Sequence, residues 1–324
     1  MAALGGLKRS MMCLMALWLA CHVHAQTFPD RPIRIVNPFS AGGGGDLSVR
    51  AIADKLSKRL GVPVVIDTRP GASGLIGAQM VASAAPDGYT LLMGYDGSVA
   101  IASQLLKTTV NPLKDLTPIT KLADSPMVFL AHPSLKVQSL KEVIDLARRD
   151  NKELAYGSAG AGTTHHMVGE LLASKAGVKL LHVPYKGGSA AVMDAVAGQV
   201  PLVVTVPPTA LPFVQDGRLK ALAVTSKDRM ALMPDVPTVK EQGFPDFEVV
   251  SWYSLLAPAR TPKPIVELLQ AAVAEVLNDA EVREAYTKVG FIPVGNRPEV
   301  FAAQLQADYQ RWGALIKSAR IAIE

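Results

Sequence analysis

The chain has 324 residues, a formal net charge of +5, 49% hydrophobic residues and 19% charged ones. So apolar a composition excludes a disordered chain, and the length admits two domains of ordinary size or one large one. Glycine (26) and proline (23) are plentiful, but they follow no collagen period, and no run of like charges marks a tail.

The first 25 residues read as a secretory signal. Lys8 and Arg9 form its basic region, Met11 to Ala20 its apolar run, and Val23-His24-Ala25 its cleavage site, with Gln26 next. The run is too short to span a bilayer comfortably. Cys21 raises the alternative of a lipid anchor, but Trp18-Leu19-Ala20 is a poor lipobox. Export with cleavage after Ala25 is expected. The mature chain would carry 31 Lys+Arg against 28 Asp+Glu, a net charge of +3 with no basic stripe, so no nucleic-acid partner is expected. Both cysteines, Cys13 and Cys21, fall in the signal, which leaves the mature chain without disulfides or thiol chemistry.

The mature chain alternates short β-branched runs with longer helical patterns. Ile33 to Val36 reads as a strand, Pro38 to Gly45 as a turn, and Asp46 to Leu60 as a helix stopped by Gly61. Val62 to Ile66 is the next strand, followed by the turn Arg69-Pro70-Gly71-Ala72-Ser73-Gly74, a helix from Leu75 to about Ala84, and a strand from Tyr89 to Met93. The phrase recurs. Leu154 to Tyr156 is a strand, Gly157 to Gly162 a glycine turn, Thr163 to Ala176 a helix, Lys179 to Val183 a strand, and Tyr185-Lys186-Gly187-Gly188 a turn into a helix near Ser189. Asn111 to Pro118 reads as a proline-containing connection and Phe247 to Ala257 as an extended stretch. Three helical patterns, Lys263 to Leu277, Ala280 to Val289 and Pro298 to Ser318, close the chain. Such alternation gives two α/β units, each a mostly parallel sheet flanked by helices.

Two loops carry the functional signal. In Pro38-Phe39-Ser40-Ala41-Gly42-Gly43-Gly44-Gly45-Asp46, consecutive glycines let the backbone approach a ligand with no Cβ in the way, at a helix N-terminus that favours anions. A tight turn capped by Asp46 would need only one or two of them. The second loop, Gly157-Ser158-Ala159-Gly160-Ala161-Gly162-Thr163-Thr164, repeats the logic with hydroxyls at Ser158, Thr163 and Thr164 that either cap the helix or donate to a carboxylate. Ser98 and Thr205, each just past an apolar run, are weaker candidates for the same cleft, with a plain turn hydroxyl as the alternative. No lysine follows the first glycines, and Gly-x-Gly-x-x-Gly fails at Leu47 and at His165, so nucleotide binding is not expected. Catalytic patterns are poor: Tyr156 breaks the nucleophile elbow at Ser158, and adjacent His165 and His166 point about 100° apart on a helix. A hydrolase using Ser158 and His165 remains an alternative, because triads assemble in space. No metal or cofactor is expected.

Pro38-Phe39-x-x-Gly42-Gly43-x-x-Asp46-x-x-x-Arg50 resembles the first-loop pattern of the tripartite tricarboxylate transporter receptors, the Bug family of periplasmic solute-binding proteins. Arg69-Pro70-Gly71-Ala72, Pro86-Asp87-Gly88-Tyr89-Thr90, Tyr156-Gly157-Ser158 through Gly162 with His165, and Val183-Pro184-Tyr185-Lys186-Gly187 match as well. So do Met233-Pro234-Asp235-Val236-Pro237-Thr238, Trp252-Tyr253, Pro258 and Thr261-Pro262, which extends the resemblance over about Phe28 to Arg320.

The resemblance implies a two-lobed type II periplasmic-binding-protein (Venus flytrap) fold. After the signal (1–25), one lobe would be 26–126 plus 254–324 and the other 127–253, with crossings near Ser125 to Val128 and Val249 to Ser254. It implies a non-enzymatic receptor that holds a small carboxylate, delivers it to an inner-membrane permease or senses it for signalling, and acts as a monomer. Phe39, Ser40, Ala41, Gly42, Gly43 and Asp46 would face Ser158, Ala159, Gly160, Gly162 and Thr163, with Gly44 and Thr164 added from the reading of the loops themselves. Many relatives carry a larger or hydroxylated residue just before the Asp. Gly44 and Gly45 are therefore expected to widen that end of the pocket or to remove a donor.

Overall fold

A computed structural model describes residues 28–150, 154–318 and 321; the expected signal peptide and its cleavage site lie outside them. From Arg31 onward the chain is one structural unit built around two sheets. It begins with β1 (Ile33–Asn37), helix α1 (Gly44–Leu60), β2 (Val64–Thr68), α2 (Leu75–Ala82) and β3 (Thr90–Tyr95). Helix α1 buries Val49, Ile52, Ala53 and Leu56, one face of the 3.6-residue period, and Gly61 ends it with a left-handed φ of 72°. Asp46 in its first turn and Lys58 and Arg59 in its last suit the helix dipole. Each buried aliphatic side chain contributes about 1.5–3 kcal/mol against the sheet.

An eleven-residue strand, β4 (Leu116–Pro126), runs straight on through Met127 into β5 (Val128–Ala131), which belongs to the second sheet. There follow α3 (Leu140–Asp150), β6 (Leu154–Ser158), α4 (Thr164–Ala176), β7 (Leu180–Pro184), α5 (Gly188–Val196), β8 (Leu202–Thr205), α6 (Pro207–Gln215) and β9 (Lys220–Val224). The chain then returns as β10 (Val250–Pro258) and ends in α7 (Lys263–Asn278), α8 (Ala280–Lys288), β11 (Ile292–Pro293) and α9 (Pro298–Ser318). The first sheet has the order β11-β4-β10-β3-β1-β2 and the second β7-β6-β8-β5-β9.

Both sheets are mixed. β1 pairs in parallel with β2 and β3, and β6 with β7 and β8, as the βαβ reading requires. Where the strands that link the sheets join, pairing is antiparallel: β10 with β3 and β4, and β5 with β8 and β9. Pro118 lies inside β4, a segment expected as a connection. It is tolerated there because β4 and β10 shift register between Leu255 and Leu256, and β11 reaches only Ala123 and Asp124 on the other side. Helix α6 starts with Pro207 and Pro208, where missing N–H groups cost nothing, and carries Pro212 inside, so no helical pattern marks it in the sequence.

Thr225 ties the two links between the sheets together. Its hydroxyl donates to the Val249 carbonyl at 2.5 Å and accepts from the Met127 amide at 2.8 Å, while its own amide donates to the Met127 carbonyl at 2.9 Å. Each sheet has its own core. Ile33, Ile35, Ile52, Leu91 and Leu255 are fully buried in the first, and Val128, Leu130, Ala191, Val192 and Val203 pack together in the second.

Candidate functional site

Between the sheets, β1 runs into the glycine loop and then into α1. The buried Asp46 carboxylate organises that loop. It accepts from the buried Asn37 side-chain amide at 3.2 Å, from the Gly42 backbone amide at 3.0 Å and from Arg50 Nε at 2.8 Å. The Asn37 carbonyl oxygen in turn accepts from the Phe39 amide at 3.2 Å. No side chain caps α1, whose N-cap is Gly43.

Across the cleft, a second helix N-terminus without a side-chain cap belongs to α5, whose N-cap is Gly187. The two ends share one pocket. Its walls are Phe39, Ser40 and Gly43 to Gly45 on one side, Ala159, His165, Gly187, Gly188 and Val206 on the other, with Tyr95 and Tyr253 between. Tyr95 stacks on Tyr253 at 5.5 Å and receives the Phe39 edge at 5.4 Å. Among the described residues, no charged side chain lines it.

The glycines are needed where the chain comes close. A Cβ on Gly44 would collide with the Tyr253 hydroxyl and reach within 3.0 Å of Val206 Cγ2, and one on Gly45 would run into the Met93 methyl. Gly187 has φ 142°, and a Cβ there would strike Ser40 Oγ. Gly43, by contrast, would meet only the Ser40 carbonyl, at an ordinary 3.4 Å.

The lobes touch through side chains on both sides of the pocket. Ser40 Oγ donates to the Lys186 carbonyl at 2.7 Å, Ser73 Oγ to the Ala161 carbonyl at 2.5 Å, and Ser189 Oγ to the Ala41 carbonyl at 3.5 Å. Tyr95 Oη lies 2.8 Å from His165 Nδ1. Burial alone pushes His165 down to about 3, so its ring is neutral, and it holds the Tyr95 phenol well above its usual range.

Of the residues the sequence singled out, Phe39, Ser40, Gly43, Gly44 and Ala159 line this pocket, and Ala41, Gly42 and Asp46 shape the loop behind it. Gly160 lies in the adjoining groove with Gly71 to Gly74. The rest turn elsewhere. Ser158 Oγ is buried 2.6 Å from His182 Nε2, accepts from the Gly160 amide at 3.1 Å and lies 3.2 Å from the Gly160 carbonyl. Thr163 Oγ1 caps its own helix and donates to the Gly160 carbonyl at 2.7 Å, while the Gly162 amide donates to His166 Nδ1 at 3.1 Å. Ser98 Oγ donates to the Tyr95 carbonyl at 2.8 Å, and the Thr205 and Thr209 hydroxyls pair at 2.5 Å.

Thr164 sits beside Asp96, whose carboxyl burial pushes up to about 7 and whose oxygen accepts from Ser251 Oγ at 2.5 Å. The Thr164 hydroxyl is near enough to favour the charged form of Asp96, yet it meets hydrogen-bond geometry with no partner. So α4, expected to face α1 across the ligand, meets the β3 end instead, and α5 takes its place. The signal for α5 was present in the sequence: Gly187-Gly188 opens a helix after a strand, as the first loop does. Tyr95 and Val206 carried no signal, since lone residues at strand ends read as core, and Tyr253 was marked only as part of the Trp252-Tyr253 match, with no role attached.

His182 stacks on His166 at 3.9 Å between ring centroids, and burial lowers both, to about 3 and about 4. The Ser158–His182 pair therefore braces the second loop from beneath and opens on no substrate. His165, the partner a hydrolase would need, contacts Tyr95. Among the described residues no group of three or more His, Cys, Asp or Glu could hold a metal, and no helix is long and apolar enough to cross a membrane.

Residues 48–321 match the family model of the tripartite tricarboxylate transporter family receptor. Protein BugT of Bordetella pertussis (strain Tohama I) is 34% identical over 301 residues, 92% of each chain. Among solved structures, R. palustris Rpa4515 with adipate is 35% identical with a TM-score of 0.87, over 91% of this chain and 99% of that one. MatC from Rhodopseudomonas palustris with bound malate is 34% identical with a TM-score of 0.85, over 89% and 100%. These neighbours share the two-lobed α/β fold, and the family consists of periplasmic solute-binding proteins rather than enzymes. A cleft closed between two sheets, walled by glycine helix starts and matched along most of the chain, makes this protein a member of the tripartite tricarboxylate transporter receptor family.

Proposed function

We propose that the pocket between the N-termini of α1 and α5 captures a small carboxylate and that the lobes close over it. One observation carries this reading: two helix starts with glycine N-caps and no side-chain cap converge on one pocket. Their free backbone N–H groups and positive dipole ends suit the oxygens of an anion. The neighbours solved with adipate and with malate support the same class. In this reading Ser40, Gly43, Gly44 and Ala159 contact the ligand, Phe39 covers it, and Ala41, Gly42 and Asp46 hold the loop. Gly160, Gly162, Ser158, Thr163 and Thr164 support the opposite wall, and Ser98 and Thr205 act behind it.

Residues 26–126 with 254–324 form one lobe and 127–253 the other, hinged where Thr225 ties Met127 to Val249. Closure is driven by a ligand that touches both lobes and so favours the closed state. The chain is exported by its cleaved signal, works as a monomer in the periplasm and passes its ligand to a tripartite transporter permease. The test is a thermal-melt screen of the chain from Gln26 onward with di- and tricarboxylates, aromatic acids, acidic amino acids and their amides. A ligand at about 100 times its Kd adds roughly 2.7 kcal/mol to the folded state. A dose-dependent rise with carboxylates is expected; a flat panel on stripped, folded protein would overturn the carboxylate reading.

A further inference from the structure

One polar atom of the pocket wall has no protein partner. His165 is 4% exposed and its Nε2 is fully buried, without a hydrogen bond among the described residues. His165 lines the pocket together with Gly188, and a Cβ on Gly188 would lie 3.5 Å from Nε2 and 3.1 Å from Thr205 Oγ1. An unpaired buried polar group is costly, so such an atom at a pocket wall points to a partner that arrives with the ligand.

The other ring nitrogen decides what Nε2 offers. His165 Nδ1 lies 2.8 Å from Tyr95 Oη, and that hydroxyl has no other hydrogen bond meeting the geometry among the described residues. A buried hydroxyl must place its proton somewhere. Donation from Tyr95 to Nδ1 satisfies both atoms at the one contact of good geometry and leaves the proton of the neutral ring on Nε2; the reverse tautomer would leave the phenol hydrogen only the Thr164 and Ser251 hydroxyls, which lie nearby without meeting that geometry. Among the described residues the pocket also lacks a carboxylate to pair with a ligand ammonium, since no Asp or Glu lines it and both Asp46 oxygens are engaged with Asn37, Gly42 and Arg50.

We propose that His165 is the specificity-determining donor of this pocket, presenting Nε2–H to a ligand oxygen, and that the site selects carboxylic acids without an amino group over the corresponding amino acids. Tyr95 is the positioning residue that fixes the tautomer. Because the Tyr95–His165 bond joins the two lobes, a ligand oxygen on Nε2–H strengthens Nδ1 as acceptor and so strengthens the closing contact. The inference rests on the carboxylate-receptor reading and narrows it.

The test pairs acids with their amino counterparts, malate with aspartate and adipate with 2-aminoadipate, by calorimetry on the stripped mature chain. At least one acid should bind more than tenfold tighter than its partner. His165→Asn keeps a group near Tyr95 but none at the Nε2 position, and should weaken that acid roughly tenfold to a hundredfold, the range for a hydrogen bond to a charged group. His165→Gln keeps a donor near Nε2 and should stay within about threefold of the parent. Nitrogen-15 spectra of the imidazoles should show His165 as the Nε2–H tautomer in the parent and as a mixture in Tyr95→Phe, a change that packing alone would not produce. Equal affinity for acid and amino acid, equal loss in both His165 variants, or an Nδ1–H tautomer in the parent would overturn the inference while the receptor reading stands. Binding by none of the four probes, with no carboxylate response in the melt screen, would overturn both.

Discussion

Replacing Asp46 separates a ligand contact from a loop brace. In the structure both its oxygens are spent on the protein: on the Asn37 amide, the Gly42 amide and Arg50 Nε. Asp46→Ala strands the wholly buried Asn37 amide, at about 1–3 kcal/mol for a buried donor left unpaired, while the exposed Gly42 can turn its amide to water. Arg50 is 54% exposed, so its screened pair adds at most about 1 kcal/mol. The total is about 1–4 kcal/mol, which at roughly 2 °C per kcal/mol for a chain of this size lowers Tm by about 2–8 °C. Apo stability and the affinity for whichever carboxylate stabilises the parent would be measured together on Asp46→Ala and Arg50→Ala. Asp46→Ala should lose both and Arg50→Ala little of either. An Asp46→Ala protein with unchanged apo Tm but abolished binding would refute the brace and make the carboxylate a direct ligand contact.

Two further predictions concern closure and pH. Gly187→Ala should weaken ligand binding more than tenfold while the chain stays folded, because Ala is strained at φ 142° and its Cβ meets Ser40 Oγ across the cleft; failure of a second change, Ser40→Ala, to restore any affinity would discount the collision. Asp96→Asn should alter the pH dependence of stability in urea titrations. With its folded value near 7 against an ordinary 3.8, Asp96 contributes stability that is complete below about pH 4 and is lost as pH rises through 7. The variant, which keeps an acceptor for Ser251, should gain on the parent progressively from about pH 4 to 7 and hold that gain above it, and parallel curves would refute the assignment. The neutral buried rings of His165, His166 and His182 act with the opposite sign below about pH 6.5, equally in both proteins.

Local rules determine much of this protein. The 3.6-residue periods, the glycine stops at Gly61 and Gly177 and the β-branched runs specify α1, α4, α7, α9 and strands β1 to β3, because each signal acts within a few residues. The run of glycines likewise marks the first loop as a place of close approach, and the ordered motifs mark the receptor family.

What lay beyond reach is what depends on who meets whom. Asp46 reads as a ligand group or a cap until its neighbours show both oxygens occupied. Ser158 reads as a donor until β7 brings His182 to it from 24 residues away. Whether α4 or α5 faces α1 turns on how the second sheet is set against the first, and Tyr95, Tyr253 and Val206 become pocket walls only through that packing. Sequence patterning determined which segments are helix, strand and glycine loop. Only the tertiary structure decided which polar atoms are satisfied and which, like His165 Nε2, are left facing the cleft, because satisfaction is a property of pairs brought together from distant parts of the chain.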